Sequence, residues 1–151
     1  MDFKKRPSWD EYFIAITKEV AKRSTCLRRS VGAVLVKDKR ILSTGYNGAV
    51  KNSKHCLEIG CMRQKHAISS GTRQELCRGL HAEQNALLFV TTLGINTDHS
   101  ILYCTNYPCS LCAKMLVQAG VKKVIYCEDY PDELAKSIFI ENNIDIKKFT
   151  P

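Results

Sequence analysis

The chain has 151 residues, 44% hydrophobic and 25% charged, which fits one globular domain and excludes a disordered chain. Lysine and arginine outnumber aspartate and glutamate by 23 to 15; residues 1–40 carry net +6, residues 41–80 net +4 and residues 81–151 net −2. No apolar run reaches the length of a membrane span, and residues 1–10 hold no apolar signal core, so a cytoplasmic protein without membrane contact is expected.

Ser8 with Glu11 three residues on reads as a capping box, and Tyr12, Ile16 and Val20 recur at helical spacing, predicting a helix over residues 9–24. Residues 31–36 are apolar and rich in valine, Asp38-Lys39 reads as a turn, and residues 41–46 return as the second strand of a hairpin. Residues 47–80 hold four of the eight glycines, three cysteines and two histidines, with weak periodicity. So long a loop in a compact domain is usually functional, and a cysteine-bearing insert is expected at about residues 48–80.

From His81 a helical pattern runs to near Gly94, with Ala86, Leu87 and Val90 as its apolar positions. Residues 100–104 read as a strand, and Pro108 starts a helix over residues 109–119 that stops at Gly120. Residues 123–126 form a strand, Pro131 opens a helix to about residue 142, and residues 144–149 give a last short strand. Strands alternating with helices predict one three-layer α/β/α domain over residues 1–151, built on a mixed sheet of about five strands.

Eight cysteines are many for this length. Without a secretory segment they point to metal binding or redox chemistry, not to a disulfide framework. Cys104 and Cys127 sit inside apolar runs and read as small buried hydrophobes. Two motifs stand apart: His81-Ala82-Glu83 and Pro108-Cys109-Ser110-Leu111-Cys112, each at a predicted helix N-terminus. There the free N–H groups and the positive helix end favour thiolates. A Cys-x-x-Cys pair alone reads equally well as redox or structural zinc. Joined to His81 it gives a His-Cys-Cys donor set, which leaves one tetrahedral position of Zn²⁺ open, the catalytic pattern. Zinc brings the pKa of water down to about 7, and Glu83, two residues beyond His81, is placed to carry the proton. H-x-E followed by P-C-x-x-C is the signature of zinc nucleobase deaminases.

From about Trp9 to Phe149 the sequence resembles the deoxycytidylate (dCMP) deaminases of the cytidine deaminase-like fold. The resemblance is carried by Arg23-Ser24-Thr25-Cys26, Val31-Gly32-Ala33-Val34, Gly45-Tyr46-Asn47-Gly48, His81 to Ala86, Pro108-Cys109 with Cys112, and Cys127-Glu128-Asp129-Tyr130. It implies hydrolytic deamination of dCMP to dUMP and ammonia, supplying dUMP for thymidylate synthesis, with Glu83 catalytic. It further implies that the Ala82 N–H reads the base, that Asn47 bonds the sugar, that Tyr130 lies near the nucleotide, and that the protein is a homo-oligomer, a hexamer being favoured.

The remaining thiols, Cys26, Cys56, Cys61 and Cys77, are expected to close on a second, structural zinc that pins the insert, with His55 and His66 as competing ligands. Family members regulated by nucleotides would also bind an effector, with Mg²⁺ as its counterion. Here, however, the Gly- and Pro-rich segment after Gly-Tyr-Asn-Gly is replaced by Ala49-Val50-Lys51-Asn52-Ser53. The sequence also admits two rival readings: a tRNA adenosine deaminase, which the basic half would suit, and a non-catalytic zinc-binding partner protein. The absence of a basic C-terminal helix counts against the first, and an intact Glu83 against the second.

Overall fold

A computed structural model describes residues 3–151. Helix α1 spans Trp9–Ala21, and its Ser8 cap is reciprocal: the hydroxyl accepts from Glu11 N at 3.1 Å and the Glu11 carboxylate accepts from Ser8 N at 2.6 Å. The helix stops three residues before the predicted end because Ser24 turns away to bond Asn47. Strands β1 (Gly32–Lys37) and β2 (Arg40–Tyr46) form the hairpin, with Asp38 and Lys39 both at positive φ in its two-residue turn.

The insert holds the short strand β3 (Gly48–Ala49), two single-turn helices, α2 (Cys56–Ile59) and α3 (Met62–Lys65), a 3₁₀ turn at Gln74–Leu76, and β4 (Gly79–Leu80). Strands β3 and β4 pair antiparallel and tie its two ends together. Then follow α4 (Ala82–Thr92), β5 (Ile101–Asn106), α5 (Ser110–Gln118), β6 (Lys123–Glu128), α6 (Glu133–Glu141) and β7 (Asp145–Lys148). Pro131 does not open α6. Asp132 does, because its carboxylate caps two helices at once, accepting from Ala135 N at 3.0 Å and from Ser110 N at 2.8 Å.

The main sheet runs β2-β1-β5-β6-β7, with β1 antiparallel to both neighbours and β5, β6 and β7 parallel. This is the expected mixed five-stranded, three-layer α/β/α fold. Both faces are covered, which is why β1 reads as an unbroken apolar run. Val34, Val36, Tyr103 and Ile125 meet Phe13 and Ile14 of α1 on one face. Ala33, Leu35, Leu102, Cys104 and Val124 meet α4, α5 and α6 on the other. Cys104 is fully buried, as expected; Cys127 is only half-buried, at the rim of the α1-side core beside Phe149.

The close approach of β2 to α4 depends on Gly45. A methyl group there would lie 2.6 Å from Ala86 N and would also collide with the Ala82 carbonyl oxygen. Both obstacles are backbone, so neither can swing aside. Gly45→Ala is therefore expected to lower stability by about 1–3 kcal/mol, read as a lower Tm, because α4 must shift outward with the residues it carries.

Candidate active site

The first turns of α4 and α5 meet at the end of the sheet where β5 finishes. His81 is the N-cap of α4 and Cys109 the N-cap of α5, so both lie where helical N–H groups are unspent. His81 is fixed by its own helix: its N–H donates to Gln84 Oε1 at 2.7 Å. Cys112 follows within the first turn of α5 and is fully buried.

His81 Nδ1 lies 3.4 Å from Cys109 Sγ and 3.4 Å from Cys112 Sγ. Nitrogen and sulfur ligands sharing one tetrahedral zinc stand about 3.6 Å apart, so the spacing fits that ion. Among the described residues this is the only group of three or more such donors gathered within 4.8 Å. The chemistry of the two sulfurs also fits. Hydrogen bonding from the Cys112 thiol, and from His81, brings the Cys109 thiol down to about 4, while the bond to Cys109 and burial push the Cys112 thiol up. A cation held between the two sulfurs would bind both as thiolates. His81 is shifted upward by its bond to Cys109.

Glu83 is 5% exposed, with Oε2 3.6 Å from Cys112 Sγ, and burial pushes its carboxyl above the ordinary glutamate range. It stands beside the donor set and not in it. Ala82, fully buried, opens α4 and lines the pocket, so its N–H is among those without an intrahelical acceptor. Asn47 is on the pocket wall, and most of its amide is committed: Oδ1 accepts from Val31 N at 2.9 Å and from Ser24 Oγ at 2.6 Å, while Nδ2 donates to Arg29 O at 2.8 Å. One Nδ2 hydrogen remains for a ligand. Tyr130 is half-buried in the same wall, with the Arg29 guanidinium 5.4 Å from its ring centre.

The wall also carries residues that sequence reasoning did not single out: Arg28, Arg29, Arg63 and Gln74. Three buried polar atoms on it have no partner among the described residues: Thr25 Oγ1, Arg28 Nη1 and Arg63 Nε. The second thiol group comes together only in part. Burial, then the neighbouring thiols Cys61, Cys26 and Cys77, push the Cys56 thiol up, yet the four do not close to 4.8 Å as His81, Cys109 and Cys112 do. His55 and His66 are exposed and outside both groups.

Residues 7–128 match the model of the cytidine and deoxycytidylate deaminase zinc-binding region. The chain is 43% identical over 120 residues to the deoxycytidylate deaminase of Schizosaccharomyces pombe and 42% identical over 119 residues to ComE operon protein 2 of Bacillus subtilis. Those alignments cover 80% and 79% of this chain but only 37% and 59% of the relatives. Among solved structures, the dCMP deaminase of cyanophage S-TIM5 in complex with dCMP and dUMP superposes with a TM-score of 0.80 at 30% identity, covering 97% of this chain and 100% of that one. No helix among the described residues is long and apolar enough to cross a membrane. By its sequence, its sheet and its His-Cys-Cys group, the chain belongs to the cytidine and deoxycytidylate deaminase zinc-binding family.

Proposed function

We propose that the protein deaminates dCMP by hydrolysis, taking up one water and releasing dUMP and ammonia. The carrying observation is the meeting of His81, Cys109 and Cys112 at ligand spacing with the buried Glu83 carboxylate beside them. His81 Nδ1 and the two sulfurs would hold Zn²⁺, which when bound makes water a nucleophile at neutral pH. The protein's own groups do the rest. Glu83 accepts the first proton of the attacking water and passes it to N3 of the cytosine ring. It then takes the second from the hydroxyl now on C4 and delivers it to the amine, which leaves as ammonia while the C4–O bond becomes the uracil carbonyl. A carboxyl pushed up by burial holds a transferred proton more readily than an exposed one, as this shuttle requires. The Ala82 N–H reads the base, the free Nδ2 hydrogen of Asn47 bonds the sugar, and Tyr130 flanks the nucleotide.

A nucleotide is favoured over a nucleoside by the wall. Arg28, Arg29 and Arg63 border the pocket, and the unpartnered guanidinium nitrogens of Arg28 and Arg63 suit a phosphate. The test is a panel of dCMP, CMP, deoxycytidine and a tRNA anticodon stem, followed by product chromatography. Conversion of dCMP in preference to the others is expected; no dUMP, or faster turnover of the tRNA, would overturn the reading.

Cys26, Cys56, Cys61 and Cys77 form the proposed structural zinc site, supported by the mutual influence of their thiols. About two zincs per chain are then expected by metal analysis, falling to one in a Cys56→Ser/Cys61→Ser double variant with a lower Tm. One zinc in the parent protein would remove this second site. Eight unpaired thiols suit a reducing, cytoplasmic compartment. A homo-oligomer, with the hexamer as the favoured form, is supported by the outer face of α4 and α5, where Leu88 and Met115 line one shallow groove and are 52% and 42% exposed. An effector carrying Mg²⁺ has no such support, because the turn after Ala49 has no glycine to wrap a phosphate.

A further inference from the structure

Gln74 lies in the insert, at the start of the 3₁₀ turn, seven residues ahead of His81. Its side-chain Oε1 is 3.3 Å from His81 Nε2. The other ring nitrogen, Nδ1, faces both sulfurs. A ring that offers its Nδ1 lone pair to a cation must carry its proton on Nε2, and the only complementary partner at that atom is an acceptor. The amide therefore turns its oxygen, not its nitrogen, towards the ring.

We infer that Gln74 is a positioning residue for the catalytic metal centre: by accepting the Nε2–H it fixes the tautomer and plane of His81. The inference rests on His81 acting as a zinc ligand. Histidine ligands are commonly oriented in this way by a carboxylate or a carbonyl, and such partners are worth about 10–100-fold in metal affinity or activity. A neutral amide suits this centre. Two thiolates already balance a divalent cation, and Glu83 stands beside them, so a further carboxylate on His81 would add negative charge where an electrophilic metal is needed.

The backbone at Gln74 is held by the same insert. Arg73 sits in the left-handed region at φ 51°, and the Gln74 carbonyl accepts the Cys77 N–H at 3.0 Å. One residue thus links the second thiol group, through Cys77, to the first, through His81. Order in the insert is transmitted to the catalytic ligand by this amide and not only by packing.

The test uses the full chain with cobalt(II) in place of zinc, following the thiolate charge-transfer and d–d bands, and zinc retention against a chelator. Gln74→Ala is expected to shift the d–d bands and to release the metal about 10–100-fold more readily, with circular dichroism and the Tm of the metal-free protein unchanged. Gln74→Glu, which restores an acceptor, should recover retention, which distinguishes orientation of the ring from bulk packing. A Cys109→Ala control must change the same bands. If Cys109→Ala changes them and Gln74→Ala does not, the inference falls alone. If neither changes them, the ligand assignment falls and takes the inference with it.

Discussion

Glu83→Ala is expected to lower kcat on dCMP by about two to four orders of magnitude while the zinc stays bound. The two effects separate because Glu83 lies beside the metal-ligand group and outside it. Its Oε2 is 3.6 Å from Cys112 Sγ, yet only His81, Cys109 and Cys112 share the close cluster. Removing the carboxylate takes away the proton carrier and leaves all three donors. Glu83→Gln sharpens the comparison, since it keeps the volume in a pocket floor where the side chain is only 5% exposed. Steady-state kinetics with metal analysis of the same sample checks both parts. A kcat within about tenfold of the parent would remove Glu83 from the proton pathway.

Cys112→Ala is expected to abolish both catalytic zinc and turnover, a larger loss than the about 100-fold seen when only a partner of a ligand is removed. The informative control is Cys104→Ala. Cys104 is equally buried, at 0% exposure, but it belongs to β5, lies outside the donor set, and donates its thiol hydrogen to the Ile125 carbonyl at 3.8 Å. That variant loses a small buried group, with a cost of about 1 kcal/mol, and should keep metal and activity. Metal content and rate measured on the two side by side test whether position in the donor set, and not burial, decides the outcome. Equal losses in both variants would contradict it.

The parts of the site that were legible in the sequence are those written locally. His81-Ala82-Glu83 and Cys109 to Cys112 each occupy an N-cap and first helical turn, where capping chemistry and the start of a 3.6-residue period mark the place. The sheet was legible because strands buried on both faces carry unbroken apolar runs. The rest depended on where the insert returns. Gln74 and Arg63 reach the pocket only because two-residue strands, Gly48–Ala49 and Gly79–Leu80, close the insert on itself, and strands so short leave no periodicity to read. Asn47 was singled out for the sugar, but its amide also ties Val31, Ser24 and Arg29 together, so it shapes the wall as well as facing it. The start of α6 is not legible locally: Pro131 is the strong sequence signal, whereas the double cap by Asp132 depends on α5 lying alongside.

The most direct measurement is diffraction from crystals of the zinc-loaded protein at the zinc absorption edge. A strong anomalous peak within about 2.0–2.4 Å of His81 Nδ1, Cys109 Sγ and Cys112 Sγ together is the predicted result. Fully loaded crystals with no peak among those three atoms would contradict it.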